Sequence, residues 1–315
     1  MALNLNFAYA QLAIHRWMLR DKVRNEAYRK AIMAIVKPGD VVIDVGAGSG
    51  ILSIFAAQAG ARKVYAVERT GIARLAQMMI EANGVGDRVE IIQSDLEDID
   101  LPEKANVIVS EWMGGLGVDE NMLPPVVMAR DRFLVPGGKL IPGKVTAFMA
   151  PGWVDEFAEL EEWRAKPHGV DMTPIATMTS NESHMMVSDI GIGDLVARPQ
   201  PIWTHDVYTC PLLTADTSFS ASVSFVCTRA GKVSGLATWF SAEMGDGGVL
   251  CNAVGEPNTH WGQLLLPLHI ARTVDEGSTI HVDLVCHPTA PGSTEIEWTV
   301  RIGDHVEKHD TARRG

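Results

Sequence analysis

The sequence predicts a chain in two parts, an α/β domain built on a parallel sheet and then an all-β domain, with helices in front. Three observations predict it. Between residues 41 and 110, short β-branched runs alternate with helical runs, as in a parallel sheet with crossover helices. One of these strands, "VVIDVGAGSG", runs directly into closely spaced glycines and then into a helix. After "LVPGGKLIPGKV" the runs turn mostly strand-like, as in an antiparallel sandwich or barrel.

Taken in order, "YAQLAIHRWMLRDKVRNEAYRKAIMAI" mixes apolar and charged residues at helical spacing and is stopped by Lys37-Pro38-Gly39. Two consecutive helices are expected there. The parallel sheet follows in "VVIDVG", "KVYAVE", "VEIIQSD" and "ANVIVSEW", with helices in "ILSIFAAQAG" and "GIARLAQMMIEAN" between them. Gly137, Gly138 and Pro142 punctuate the chain, so the first domain is drawn over residues 1–142 and the second over 143–315. Strands of the second are expected in "SFSASVSFVCT", "KVSGLATWFSAEM", "QLLLPLHIA", "STIHVDLVCH" and "STEIEWTVRI". The acidic helical segment "VDEFAELEEWRAKP" reads as an insertion near its start.

Composition narrows the function. Lys and Arg number 27 against 39 Asp and Glu, a formal charge of −12. That balance argues against nucleic acid, whose phosphates need a basic face, and suits cationic or neutral substrates. The four cysteines (Cys210, Cys227, Cys251, Cys286) lie far apart without a C-x-x-C pair, which disfavours a zinc site or a disulfide framework and points to a reducing compartment. No basic stretch precedes the first apolar residues, and no run approaches eighteen apolar residues. A soluble, cytoplasmic protein without a membrane partner is expected.

Two stretches carry chemistry. Gly46, Gly48 and Gly50 end a strand where open α/β sheets bind nucleosides, and glycine lets the backbone approach a ligand closely. Alone, such a turn can also be a tight strand-to-helix connection with no ligand. Glu68, ending the next strand, adds an acid able to take both ribose hydroxyls, while the G-x-G-x-x-G of dinucleotide sites is absent. In "SEWMGGLGVDEN", Glu111 and Glu120 are brought into one pocket if the glycines fold the loop back. Facing carboxylates repel unless a cation lies between them, and a planar guanidinium is the cation two carboxylates grip bidentately.

"VIDVGAGSGILSIFAAQAGARKVYAVE", "SEWMG" followed by Glu120, "NTHWGQ" and "IHRWMLRDKVRNEAYRKAI" together resemble the protein arginine methyltransferase family, type I-like members included. The "GVDM" at 169–172 resembles that family's dimerisation arm. The resemblance implies a Rossmann-like class I methyltransferase domain behind N-terminal helices, then a β-barrel with an inserted helical arm over about 153–189. It implies S-adenosyl-L-methionine as cofactor, no metal, and a homodimer. Glu111 and Glu120 match the acid loop that clamps the substrate guanidinium, with Met122 and Trp261 beside it. Asp44, Gly46, Gly48, Gly50 and Glu68 match cofactor motifs, Leu96 and Glu97 match residues at the adenine, and Arg24 matches the partner of the cofactor's carboxylate. His15 and Met18 match residues lining the same site.

His260 matches a histidine that faces an aspartate, here Asp21. The pair reads either as a route for the proton lost on methylation or as a structural bond docking the barrel. Two departures stand out: Leu5 and Asn6 replace the aromatics of the family's lid, leaving Tyr9, and Gly115 replaces a bulky aromatic. They imply a substrate channel of another shape and lean toward a small arginine-like substrate. The expected activity is methyl transfer to a guanidino nitrogen of arginine, free or in a peptide or protein. Alternatives are another small guanidino or amine compound, or a non-catalytic dimer that binds S-adenosylmethionine.

Overall fold

A computed structural model describes residues 10–186, 190–214, 216–290 and 293–312. Leu5, Asn6 and Tyr9 lie outside them, as does the last part of the expected arm. Two helices, α1 (Leu12–Arg20) and α2 (Lys22–Ile35), meet at Asp21, whose carboxylate caps α2 by accepting from the Arg24 amide at 2.9 Å. Then come β1 (Val41–Val45), α3 (Ile51–Gln58), β2 (Lys63–Val67), α4 (Ala73–Ala82), β3 (Val89–Ile92), β4 (Ala105–Ser110), α5 (Leu123–Phe133) and β5 (Leu134–Ile141). The five strands pair in parallel in the order β3-β2-β1-β4-β5. All of β1 is buried, as a strand covered on both faces must be.

Strand order reverses between β1 and β4, and it is outside the carboxyl ends at such a point that open sheets leave a crevice. Helix α2 is tied to that edge. The buried Tyr28 hydroxyl donates to the Ser110 carbonyl at 3.1 Å, and the Ser110 hydroxyl donates to the Val45 carbonyl at 2.7 Å.

The second half contains β6 (Lys144–Gly152), α6 (Ala158–Arg164), α7 (Thr173–Thr179), β7 (His184–Met186), β8 (Gln200–Asp206), β9 (Phe219–Val226), β10 (Gly231–Glu243), β11 (Val249–Cys251), β12 (Gln263–Val274), β13 (Thr279–Ala290), β14 (Ser293–Ile302) and β15 (His305–Asp310). One antiparallel sheet runs β7-β12-β10-β6-β8 with β11 on β10, the other β15-β14-β13-β9. Helices α6 and α7 rest on the barrel through Leu160 and Ala176, with Phe157 just before α6, against Trp239 and Leu265. Val170, Ile175 and Met178 of this insertion stay about half exposed. No helix among the described residues is long and apolar enough to cross a membrane.

The two halves are joined by indoles. Trp261 is buried and donates to the Met113 carbonyl at 2.7 Å, and Trp203 donates to the Leu116 carbonyl at 2.9 Å. Between those carbonyls Gly115 lies flat on β12, where an added Cβ would come 2.6 Å from Leu264 Cβ. The glycine thus admits the barrel rather than widening a channel, which corrects the expectation placed on it.

Candidate active site

The carboxyl edge of the parallel sheet opens into a cavity of about 710 Å³. Its floor is the glycine turn. Gly46 and Gly48 take left-handed φ of 72° and 54°, and a Cβ on Gly48 would stand 3.0 Å from His15 Cε1. On Gly46 it would stand 3.4 Å from Met122 Cε. Glycine here does two jobs: it permits the conformation and lets α1 and the start of α5 close over the turn.

Glu68, at the end of β2, fixes that turn. Its carboxylate accepts the Gly48 amide at 2.9 Å and the Thr70 amide at 2.8 Å, and it also lines the cavity. Each oxygen keeps a second lone pair for a ligand hydroxyl.

From α2 comes Arg24, 5% exposed. Nη1 donates to Asn25 Oδ1 at 2.9 Å and Nη2 to Glu111 Oε2 at 3.2 Å, whereas the buried Nε has no partner among the described residues. Glu111, just past β4, uses its other oxygen to accept the Met113 amide at 3.1 Å. Glu120 and Met122 line the cavity from the loop before α5, and Glu97 lines it from the segment after β3. With His15, Met18, Arg24, Gly46, Gly48, Glu68 and Glu111, these gather ten of the expected site residues around one space.

A family model described as the arginine methyltransferase oligomerization subdomain matches residues 148–302, and one described as the TRM5/TYW2 methyltransferase domain matches residues 10–127. Protein arginine N-methyltransferase 6 of Danio rerio is 35% identical over 300 residues, covering 92% of this chain and 86% of that protein. The chain belongs to the protein arginine N-methyltransferase family. Another relative, a probable histone-arginine methyltransferase CARM1 of Oryza sativa subsp. indica, is 39% identical over 89% of this chain, which spans 56% of that protein. Among solved arginine methyltransferases, the Trypanosoma brucei PRMT1 enzyme-prozyme heterotetrameric complex with AdoHcy superposes with a TM-score of 0.85 at 29% identity, over 96% of this chain and 99% of that one. The Arabidopsis thaliana protein arginine methyltransferase 10 structure gives 0.81 at 29% identity, over 97% and 99%.

Six expected residues of this arginine methyltransferase do not line the cavity. Asp44 is fully buried in β1, where it accepts the Ser53 hydroxyl at 2.6 Å and so braces α3 from beneath. Gly50 caps α3 with φ 79°, its Cα face against Ala76 of α4, where a Cβ would meet Ala76 Cβ at 3.2 Å. Leu96 is a core side chain. Trp261 holds the acid loop through the Met113 carbonyl and lies edge-on to Phe240.

His260 and Asp21 form a pair that does not line the cavity. Asp21 Oδ2 accepts both the His260 amide at 2.8 Å and its Nδ1–H at 2.9 Å, and the two side chains are 8% and 2% exposed, His260 first. Neither side chain lines the cavity, and both bonds tie the barrel to the N-terminal helices. The tautomer with hydrogen on Nδ1 follows from that bond.

Sequence reasoning missed Pro125, Met128 and residues 212–214 as lining. The first two belong to a helix whose Pro124-Pro125 start is a readable signal. The last come from the barrel, and only docking of the two halves brings them there.

Proposed function

We propose that this arginine N-methyltransferase acts on arginine carried in a polypeptide, with S-adenosylmethionine in the cavity and Glu111 and Glu120 gripping the guanidinium. The observation that carries it is that the two acids line the same cavity as the glycine turn and Glu68. The residues present fit the cofactor. The unpartnered Nε of Arg24 suits a carboxylate, Glu68 suits ribose hydroxyls, and the cavity volume lies in the range of small-molecule sites. The Trypanosoma brucei relative was solved with AdoHcy, the product of such a transfer.

S-adenosylmethionine, when bound, supplies a sulfonium methyl already activated for displacement. The protein aligns the nucleophile and raises its electron density. Glu111 and Glu120 hold two guanidinium nitrogens and draw positive charge toward them, leaving lone-pair density on the nitrogen aimed at the methyl. Glu111 also accepts from Arg24 and from the Met113 amide, so its placement is fixed before a substrate arrives. With the cofactor bound, Glu120 would be placed to accept the proton that the guanidinium sheds, since it lines the cavity and neither His260 nor Asp21 does.

The preference for polypeptide arginine follows from two points. Gly115, which had favoured a small substrate, serves packing, and relatives are named protein and histone-arginine methyltransferases. The match to an oligomerization subdomain, with Val170, Ile175 and Met178 exposed on the insertion, supports a homodimer held by that arm over about 153–189. The cysteines are all free, which suits the cytoplasm.

The test is product identification by mass after incubation with labelled S-adenosylmethionine and an arginine-rich peptide, free arginine, or unrelated amines. Methylated peptide arginine is expected, with kcat/KM falling as ionic strength rises and surface acids are screened. Turnover of free arginine or an amine but no peptide overturns the substrate assignment. Light scattering checks the dimer, and removal of residues 160–186 is expected to give an inactive monomer.

A further inference from the structure

One wall of the cavity comes from the barrel. Leu212, Leu213 and Thr214, in the loop between β8 and β9, line it. The loop is fixed from two sides. Arg130 of α5 donates through Nη1 to the carbonyls of Val207 at 2.6 Å and Cys210 at 2.7 Å, and the Leu140 amide donates to the Tyr208 hydroxyl at 2.9 Å. Further on, the Thr214 amide donates to Thr217 Oγ1 at 3.0 Å and the Thr217 amide to the Thr214 carbonyl at 3.1 Å, closing a turn. Leu213 packs against the first domain's core, while Leu212 is 65% exposed.

Helix α5 shows which end of the cavity this is. It starts beside the glycine turn, at Met122, and Arg130 stands about 12 Å further along its axis. There Arg132 donates to the carbonyls of Leu96, Glu97 and Ile99, while Arg130 holds the barrel loop. The end remote from the turn thus lies between Glu97 and Asp98 on one side and residues 212–214 on the other. Arg24 and Glu111 mark the opposite end.

We propose that Leu212 and Leu213 cover the purine base of the adenosyl group, so that the nucleoside half of the cofactor site is completed by the barrel and held by Arg130. The inference rests on the reading that the cavity takes S-adenosylmethionine. A purine has two apolar faces and a polar edge. Pro125 and Met128 of the first domain offer apolar surface and Glu97 a polar group, and the leucines supply the second apolar wall. Cofactor retention then depends on how firmly the barrel loop is held to the first domain, by Arg130 and through Tyr208.

The experiment is calorimetric titration of the full-length protein with S-adenosylhomocysteine. Wild type is expected to bind; no binding overturns the cofactor reading and this inference with it. Leu212→Ser with Leu213→Ser, and separately Arg130→Ala, are expected to weaken binding about tenfold, as loss of apolar cover over one ring face implies. Affinity within about twofold of wild type for the leucine pair, in a protein that binds as wild type otherwise, overturns the assignment alone. A second measurement does not depend on that variant folding. With Leu212→Cys, at an exposed position, saturating S-adenosylhomocysteine or adenosine is expected to slow maleimide labelling at position 212 about fivefold or more, read by peptide mass. An unchanged rate, or protection by methionine but not by adenosine, overturns the placement.

Discussion

Asp21, at the seam between the N-terminal helices and the barrel, and Asp44, beneath the glycine turn, are both buried carboxyls, but they meet different numbers of donors. Burial of Asp21 acts to raise its pKa, yet the His260 side chain and the Arg24 and His260 amides outweigh it and hold the carboxyl below its ordinary value. Burial of Asp44 wins. Ser53 opposes it, the Glu68 carboxylate adds to it, and the group is pushed up to about 6, with Oδ1 unpartnered among the described residues. The same residue type is a charged clamp in one region and a carboxyl that titrates near neutral pH in the other, and deeper burial together with fewer donors sets Asp44 apart. Glu120, by contrast, lines the cavity.

The sharpest way to break this contrast is Asp21→Ala. It strips three hydrogen bonds from the Arg24 amide and from the His260 amide and ring, and the expected cost is about 3–5 kcal/mol, as for three buried or half-buried donors left without their acceptor. Urea unfolding checks it. The clamp's contribution is present above the ordinary carboxyl pKa of 3.8 and is lost as pH falls through the lower folded value. A loss under about 1 kcal/mol would mean that Trp203 and Trp261 hold the seam without it.

Glu120→Gln is expected to do the reverse: kcat falls about 10²- to 10³-fold, because glutamine keeps the shape without the charge, while the urea midpoint stays put. Activity within about threefold of wild type would make the acid loop a bystander.

Asp44 carries the opposite pH sign to Asp21. Its folded pKa is raised from 3.8 to about 6, so between those values the native state binds more protons than the unfolded chain, and stability falls as pH rises through the window. The accumulated cost by pH 7 is on the order of 2–3 kcal/mol. Asp44→Asn keeps an acceptor for the Ser53 hydroxyl and is expected to flatten that slope in unfolding measured at pH 4, 5, 6 and 7. An unchanged slope would mean that Asp44 ionises normally.

Much of this was legible in the sequence, for identifiable reasons. The parallel sheet was readable because β-branched runs buried on both faces have few other homes, and the acid loop because two carboxylates across glycines imply a cation. Strands β6, β8 and β15 were not singled out: "QPIWTHD" and "HVEKHD" carry polar residues throughout and Pro151 interrupts β6, so local pattern understates pairing supplied by neighbouring strands. Helix α7 is a single short segment after a proline, below the length at which periodicity speaks. Within the site, motif position marked residues near the chemistry but did not separate those that line the cavity from those that brace it. Asp44, Gly50 and Leu96 sit within two residues of lining ones and do not line the cavity themselves. Spacing along a chain locates a turn; only packing tells which side of it a side chain takes.

Glu68 is the intermediate case, and the smallest expected effect tests whether it belongs with the clamps or with the acids that line the cavity to meet a ligand. Its two oxygens accept the Gly48 and Thr70 amides, as a clamp's would, yet it also lines the cavity. Glu68→Ala removes both functions and is expected to weaken binding of S-adenosylhomocysteine by about 1–3 kcal/mol, read by calorimetry. Glu68→Gln separates them. Its amide oxygen can still accept one loop N–H, but its NH₂ would face the other, so the turn loses half its support while a donor-acceptor group still faces the ligand. If Glu68 acts mainly by fixing the turn, glutamine and alanine weaken binding alike and a 2′-deoxyadenosyl analogue loses no more with wild type than with either variant. If it acts on the ribose, the wild type discriminates against the deoxy analogue and the alanine variant does not, because the hydroxyl's partner is already gone.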